Sequence, residues 1–70
     1  MTSNYSLVKY HISSMVEMLM KDYGISYEDA LPQVMSSETY RELMEKPFLQ
    51  EEGKLFILEK FQQEIDSKVA

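Results

Sequence analysis

Histidine is the residue type best suited to acid–base chemistry near neutral pH, and the chain of 70 residues contains one, His11. A catalytic base needs a nucleophile or substrate within reach and a partner that orients it. On a helix, His11 would have Ser14 and Met15 at positions i+3 and i+4, and a serine inside a helix is a poorly activated nucleophile. The pattern therefore favours a histidine on a surface or in an interface over a catalytic one.

Carboxylates are abundant, since 12 residues are Asp or Glu, but their spacing does not indicate a metal site. A helical bundle that binds metal in its core uses Glu-x-x-His pairs pointing inward, and the sequence has no such pair. Cysteine is absent, which excludes disulfides, thiolate ligands and cysteine nucleophiles. Phosphate-binding, dinucleotide-binding and zinc-protease motifs are absent too. The sequence predicts a protein that is not an enzyme and has no cofactor or bound metal.

The net charge of −5 comes from the middle of the chain. Residues 28–52 contain seven acidic residues and two basic ones, Arg41 and Lys46. Residues 1–27 and residues 53–70 each have a net charge of zero. Such a surface repels phosphate backbones and suits a basic partner protein or water. We therefore expect no nucleic acid among the partners.

Helix start and stop signals divide the chain into four segments. Gly24 suits the left-handed position after a helix, Ser26 and then Ser36 or Ser37 suit N-caps, and Pro47 ends a helix. No segment shows sustained strand alternation. The prediction is an all-α fold, a small four-helix bundle in one domain, 1–70. Its two long helices cover about 5–23 and 51–67, and its two short helices cover about 27–35 and 38–45.

The first long helix carries more apolar surface than one core face requires. Its main stripe is Val8, Ile12, Met15, Val16, Leu19 and Tyr23. A second ridge lies about a quarter-turn away and is formed by Leu7, His11, Ser14 and Met18. The helix is therefore either a central helix contacted on two sides or the seam of a dimer. In the last helix, Leu55 falls on the predicted core face and Phe56 on the polar side. The candidate partner interface is Leu7, His11, Ser14, Met18 and Phe56.

No run of apolar residues approaches the ~20 that a membrane-spanning helix needs. The N-terminal residues also lack the basic and apolar regions of a signal peptide. Together with the absence of cysteine, these features lead us to expect a cytoplasmic protein that does not contact membranes.

The stretch YGISYEDALPQVMSSETYREL, followed by LQEEGKLFILEKFQQE, resembles a family of short uncharacterised bacterial proteins. The resemblance implies an N-terminal helix, a capped turn and a closing helix, and its matching residues are caps and core positions. Some such proteins look like small companions of toxin-like or ADP-ribosyltransferase-like gene products. No functional residue follows from the resemblance. The matching positions are Tyr23, Gly24, Ser26, Ala30, Ser37, Thr39, Tyr40, Leu43 and the helix over 55–64.

These features favour a non-enzymatic helical protein-interaction module that forms a homodimer. One alternative is an antitoxin-like companion that binds a partner protein. Another is a minimal helix-turn-helix DNA-binding regulator, because two short helices joined by a tight turn can form that motif. Its recognition helix would be SETYRELMEK, in which Arg41 and Lys46 are outnumbered by glutamates, so its charge opposes a phosphate-lined groove.

Overall fold

The computed structural model describes residues 5–69 (residue 69 as backbone only), and this part of the chain is all-helical, with no strand. The all-α prediction is confirmed, but residues 5–69 form five helices rather than the four predicted. Four of them match the predicted segments, and the fifth is a single turn that follows Pro47. The helices are α1 (Tyr5–Tyr23), α2 (Tyr27–Met35), α3 (Glu38–Glu45), α4 (Pro47–Gln50) and α5 (Lys54–Val69).

The region after α3 differs most from the prediction. Pro47 ends α3, as expected, and it also occupies the first turn of α4, where its fixed φ is already helical and its missing N–H is no loss. Residues 51–53 form a break, so α5 begins at Lys54 rather than at residue 51. The break lets α4 turn Leu49 and Gln50 into the interior.

The turns between α1, α2 and α3 follow the predicted signals. Gly24 has φ of 67°, the left-handed conformation that only glycine adopts readily. The Ser26 Oγ accepts a hydrogen bond from the Asp29 amide at 3.3 Å and caps α2. Ser37, rather than Ser36, caps α3, and its Oγ accepts from the Tyr40 amide at 3.1 Å. Local sequence therefore determines where these helices begin.

Helix α1 lies at the centre of the fold and contacts each of the other four helices. Two contacts show that α1 runs parallel to the α4–α5 segment, because His11 lies beside Gln50 and Tyr23 beside Gln62, with the same separation of 39 residues. A parallel pair needs a return path, which α2 and α3 provide. The buried core is one cluster formed by Met15, Val16, Leu19, Ala30, Val34, Leu43, Leu49, Ile57 and Phe61.

Pro32 lies inside α2 on the exposed side, where it lacks the N–H that a regular helix would pair with the carbonyl of Glu28. We expect Pro32→Ala to raise the free energy of unfolding by about 1 kcal/mol, because alanine restores that donor and removes the ring. Urea denaturation followed by far-UV circular dichroism measures the change. Pro32→Gly is the control, since glycine restores the donor without the helix propensity of alanine, and it should be the less stable of the two. A less stable Pro32→Ala variant would contradict the prediction.

Candidate interaction surfaces

The structure separates the five residues of the predicted interface. His11 and Ser14 are buried, with 1% and 5% of their surface exposed, so these two are wrong as surface contacts. Met18 is half-buried and packs against the core. Leu7 (36%) and Phe56 (47%) are exposed. His11 is buried because α4 covers this part of the second ridge. Helix α1 is therefore contacted on two sides within one chain.

His11 joins α1 to α4 through a buried hydrogen bond. Its Nε2 lies 3.0 Å from the backbone carbonyl of Gln50, and because a carbonyl only accepts, Nε2 carries the hydrogen. The side-chain amide of Gln50 donates a hydrogen bond of 2.8 Å to the backbone carbonyl of Leu43, near the end of α3. The Ser14 hydroxyl donates to the Tyr10 carbonyl at 3.0 Å, within its own helix. The two contacts of Gln50 hold α4 in place. The Ser14 hydroxyl is directed to a carbonyl of its own helix and not to His11, as a nucleophile would be.

Glu64 of α5 caps the N-terminus of α3 from another part of the chain. Its carboxylate accepts hydrogen bonds of 2.8 Å from the backbone amides of Glu38 and Thr39, and a third of 2.8 Å from the Thr39 hydroxyl. Ser37 accepts the next amide hydrogen, from Tyr40. A helix N-terminus leaves its first amides without partners, so Glu64 and Ser37 together satisfy the start of α3. Sequence reasoning missed this role for Glu64.

Two carboxylates between α3 and α5 are held in their charged form. Burial raises the pKa of Glu64, but the hydrogen bonds from Thr39 and the ion pair with Lys68 at 3.1 Å outweigh it, so the pKa lies below its ordinary value. The pKa of Glu42 is also lowered, chiefly by a hydrogen bond from Lys60, whose Nζ lies 2.6 Å away. Glu42 and Glu64 thus take part in the packing of α3 on α5.

One group of exposed apolar side chains lies where α4 gives way to α5. Phe48, Leu55 and Phe56, which we call the corner patch, are 66%, 80% and 47% exposed. The prediction that Leu55 faces the core is wrong. At 100° per residue Leu55 points about 160° away from Ile57, which is fully buried, so α5 cannot bury both. The corner patch is thus apolar surface that the fold itself does not cover.

A second group lies between the C-terminal end of α2 and the outer side of α3. Met35, Tyr40 and Met44 border a groove of about 460 Å³, with Glu38, Arg41 and Glu45 at its edge. Met35 and Met44 are 43% and 52% exposed, and Tyr40 is half-buried. Arg41 forms an ion pair with Glu38 one turn earlier in α3. We call this the α2–α3 groove.

Another cleft, of about 410 Å³, lies between α5 and the end of α2 with the turn that follows it, and Leu19 of α1 lines it as well. Its apolar lining is Leu19, Phe61 and Ile65. Its charged groups, Glu64 and Lys68, already pair with each other. Within residues 5–69, no cluster of three or more acidic or histidine side chains is arranged to hold a metal ion. No helix in this range is both long enough and apolar enough to cross a membrane.

Comparison of the chain with protein-family models, with curated proteins and with solved structures returned no match.

Proposed function

We propose that this chain is a non-enzymatic protein-interaction module that forms a homodimer through the corner patch. The observation that supports the proposal is the exposure of three large apolar side chains, Phe48, Leu55 and Phe56, within one short segment. In a soluble domain a concentration of exposed apolar groups is typical of an interface. A chain of this size also buries a small core, so association supplies stability that the monomer lacks.

The charges around the corner patch favour a second copy of the same chain as the partner. Glu51, Glu52 and Lys54 are exposed beside the apolar groups and carry both signs. In a twofold interface each contact occurs twice, so Lys54 of one copy can face Glu51 or Glu52 of the other. The acidic residues of α2 and α3, by contrast, would repel the same residues of another copy. An interface at the corner patch therefore does not require the acids of α2 and α3 to meet, and Lys54 is available to offset Glu51 and Glu52.

Phe56→Asp is expected to convert the dimer into a monomer. An aromatic hot-spot residue near the centre of an interface contributes about 2 kcal/mol or more, and its loss corresponds to a dimer weaker by a factor of at least about 30. A carboxylate in its place also adds the cost of desolvating a charge. Sedimentation equilibrium of both proteins over a range of micromolar concentrations measures the change in the dissociation constant.

Met20→Asp is the matched control, since Met20 is 41% exposed on α1 and does not belong to the corner patch. The control should dimerise as the unmodified chain does, and circular dichroism should show that both variants remain helical. Leu7→Asp tests whether Leu7, an exposed residue of the interface predicted from the sequence, also contributes to the dimer. A chain that sediments as a monomer up to high micromolar concentration, with no effect of Phe56→Asp, would rule out the homodimer.

A further inference from the structure

We propose that the α2–α3 groove is a second binding surface, and that it takes a basic amphipathic helix from a partner protein. The groove combines an apolar lining with an acidic surround, and a helix with one apolar and one cationic face has the complementary pattern. This proposal does not depend on the homodimer, because the corner patch lies on α4 and α5 and the groove lies on α2 and α3.

The lining of the groove suits apolar side chains from a partner helix. Two of its three apolar residues, Met35 and Met44, are methionines, whose flexible side chains adapt to differently shaped partners. Tyr40, which is half-buried, adds an aromatic ring to the lining. The volume of about 460 Å³ falls in the range of pockets that bind ligands. The groove can therefore accept several side chains from successive turns of a helix.

The walls of the groove are held in place by the rest of the fold. α3 is fixed to α5 at its start by Glu64 and farther along by the Glu42–Lys60 ion pair. α2 packs on α1 through Ala30 and Val34, both fully buried. A preformed site loses less conformational entropy on binding than a site that must order itself. The groove is thus a feature of the free chain.

The charge around the groove selects a cationic partner. The segment from residue 28 to residue 52 carries the whole net charge of −5. At the edge of the groove Glu38 already pairs with Arg41, whereas Glu45 forms no ion pair with any residue in 5–69. Glu28 lies two turns before Met35 on the same side of α2, and is exposed. α2 also has no basic residue in its last turn, so the negative end of its helix dipole adds to the negative potential at the groove.

The same charges disfavour the other occupants. A nucleic acid or an acidic peptide would bring like charge to Glu28 and Glu45. A second copy of this chain carries the same net charge of −5, and the same acids surround its own groove. A basic helix instead places lysine or arginine beside these carboxylates while its apolar face covers Met35 and Met44. Charge complementarity and apolar area therefore point to the same partner.

The test uses a model peptide, a fluorescein-labelled helix of about 18 residues made of leucine and lysine, with leucine at i, i+3, i+4 and i+7. A second peptide has the same composition in an order that removes this spacing. Fluorescence anisotropy at low and moderate salt gives the dissociation constant of each peptide. We expect the scrambled peptide to bind at least about tenfold more weakly, because it cannot present an apolar face and a cationic face together.

Variants of the chain then locate the binding site. Met44→Ser should weaken binding of the amphipathic peptide about fivefold, and Glu45→Lys about tenfold at low salt and less at higher salt. Met20→Ser and Glu59→Lys are the matched controls, since they make the same changes at exposed positions on α1 and α5. Both controls should stay within about twofold of the unmodified chain. The four positions are exposed, so circular dichroism should show the same helical fold for all the variants.

Four results would overturn the proposal. The first is no binding of the amphipathic peptide, and the second is equal binding of the two peptides. The third is equal loss of affinity in the groove variants and their controls, which would indicate attraction to net charge alone. The fourth is loss of peptide binding in Phe56→Asp with no effect of Met44→Ser, which would place the peptide on the corner patch. Retained binding in a monomeric Phe56→Asp supports the groove and separates it from the dimer.

Discussion

Met15→Ala is expected to lower the free energy of unfolding by about 2–5 kcal/mol, the range for a methionine removed from a closed core. Met15 has no exposed surface and belongs to the central cluster on α1, the helix that contacts all the others. Truncation leaves a cavity in the middle of that cluster. A domain of this size is only marginally stable, so a loss at the upper end unfolds most of the population at 25 °C. Urea denaturation followed by far-UV circular dichroism measures the effect.

Met20→Ala is the matched control, because Met20 lies on the same helix but is 41% exposed. The same chemical change there should alter the free energy of unfolding by no more than about 0.5 kcal/mol. The difference between the two variants then reports burial alone, since both have the same change in helix propensity. Similar losses in the two variants would contradict the assignment of Met15 to the core.

The helices that local signals define are the part of the fold that the sequence predicts well. Ser26 and Ser37 accept hydrogen bonds from amides three residues later, and Gly24 adopts a conformation that other residues disfavour. Each of these effects acts within a few residues, so its cause is visible in a short window of sequence. The four predicted helices therefore exist, with the bounds of α2 and α3 as predicted.

The segment after Pro47 shows where local signals become ambiguous. A proline can end one helix and also begin the next, and the sequence does not decide between an extended link and a new turn. The structure adopts the new turn because it brings Leu49 into the core and Gln50 beside His11. Both contacts join residues far apart in the chain. The start of α5 at Lys54 and the outward direction of Leu55 follow from that placement.

The second ridge of α1 illustrates the limit of helical periodicity. An apolar stripe shows that something covers a face, but not whether the cover is another helix of the chain or a second molecule. For His11 the cover is α4, through the hydrogen bond to the Gln50 carbonyl. The same limit applies to the α2–α3 groove. Tyr40, Leu43 and Met44 share an apolar edge in sequence, yet Leu43 is buried and Met44 is 52% exposed.

Glu64→Ala is the second substitution with a large expected effect, a loss of about 2 kcal/mol in the free energy of unfolding. It removes the acceptor for two backbone amides and the Thr39 hydroxyl at the start of α3. The two Thr39 donors are partly buried, so they lose a partner that water replaces poorly. Glu59→Ala, at an exposed position on the same helix, is the control and should cost no more than about 0.5 kcal/mol. Urea denaturation at neutral pH measures both variants.

The effect of Glu64→Ala should also depend on pH, which distinguishes a charged cap from simple packing. The pKa of Glu64 is lower in the folded chain than its ordinary value of 4.5, so its carboxylate contributes full stability above that value. As the pH falls below 4.5 toward the lower folded pKa, protonation removes the acceptor and the contribution is lost. The difference in stability between the unmodified chain and Glu64→Ala should therefore shrink at acid pH. The difference for Glu59→Ala should remain small throughout. A Glu64→Ala effect that stays constant from neutral to acid pH would show that the side chain stabilises α3 through packing rather than through its charge.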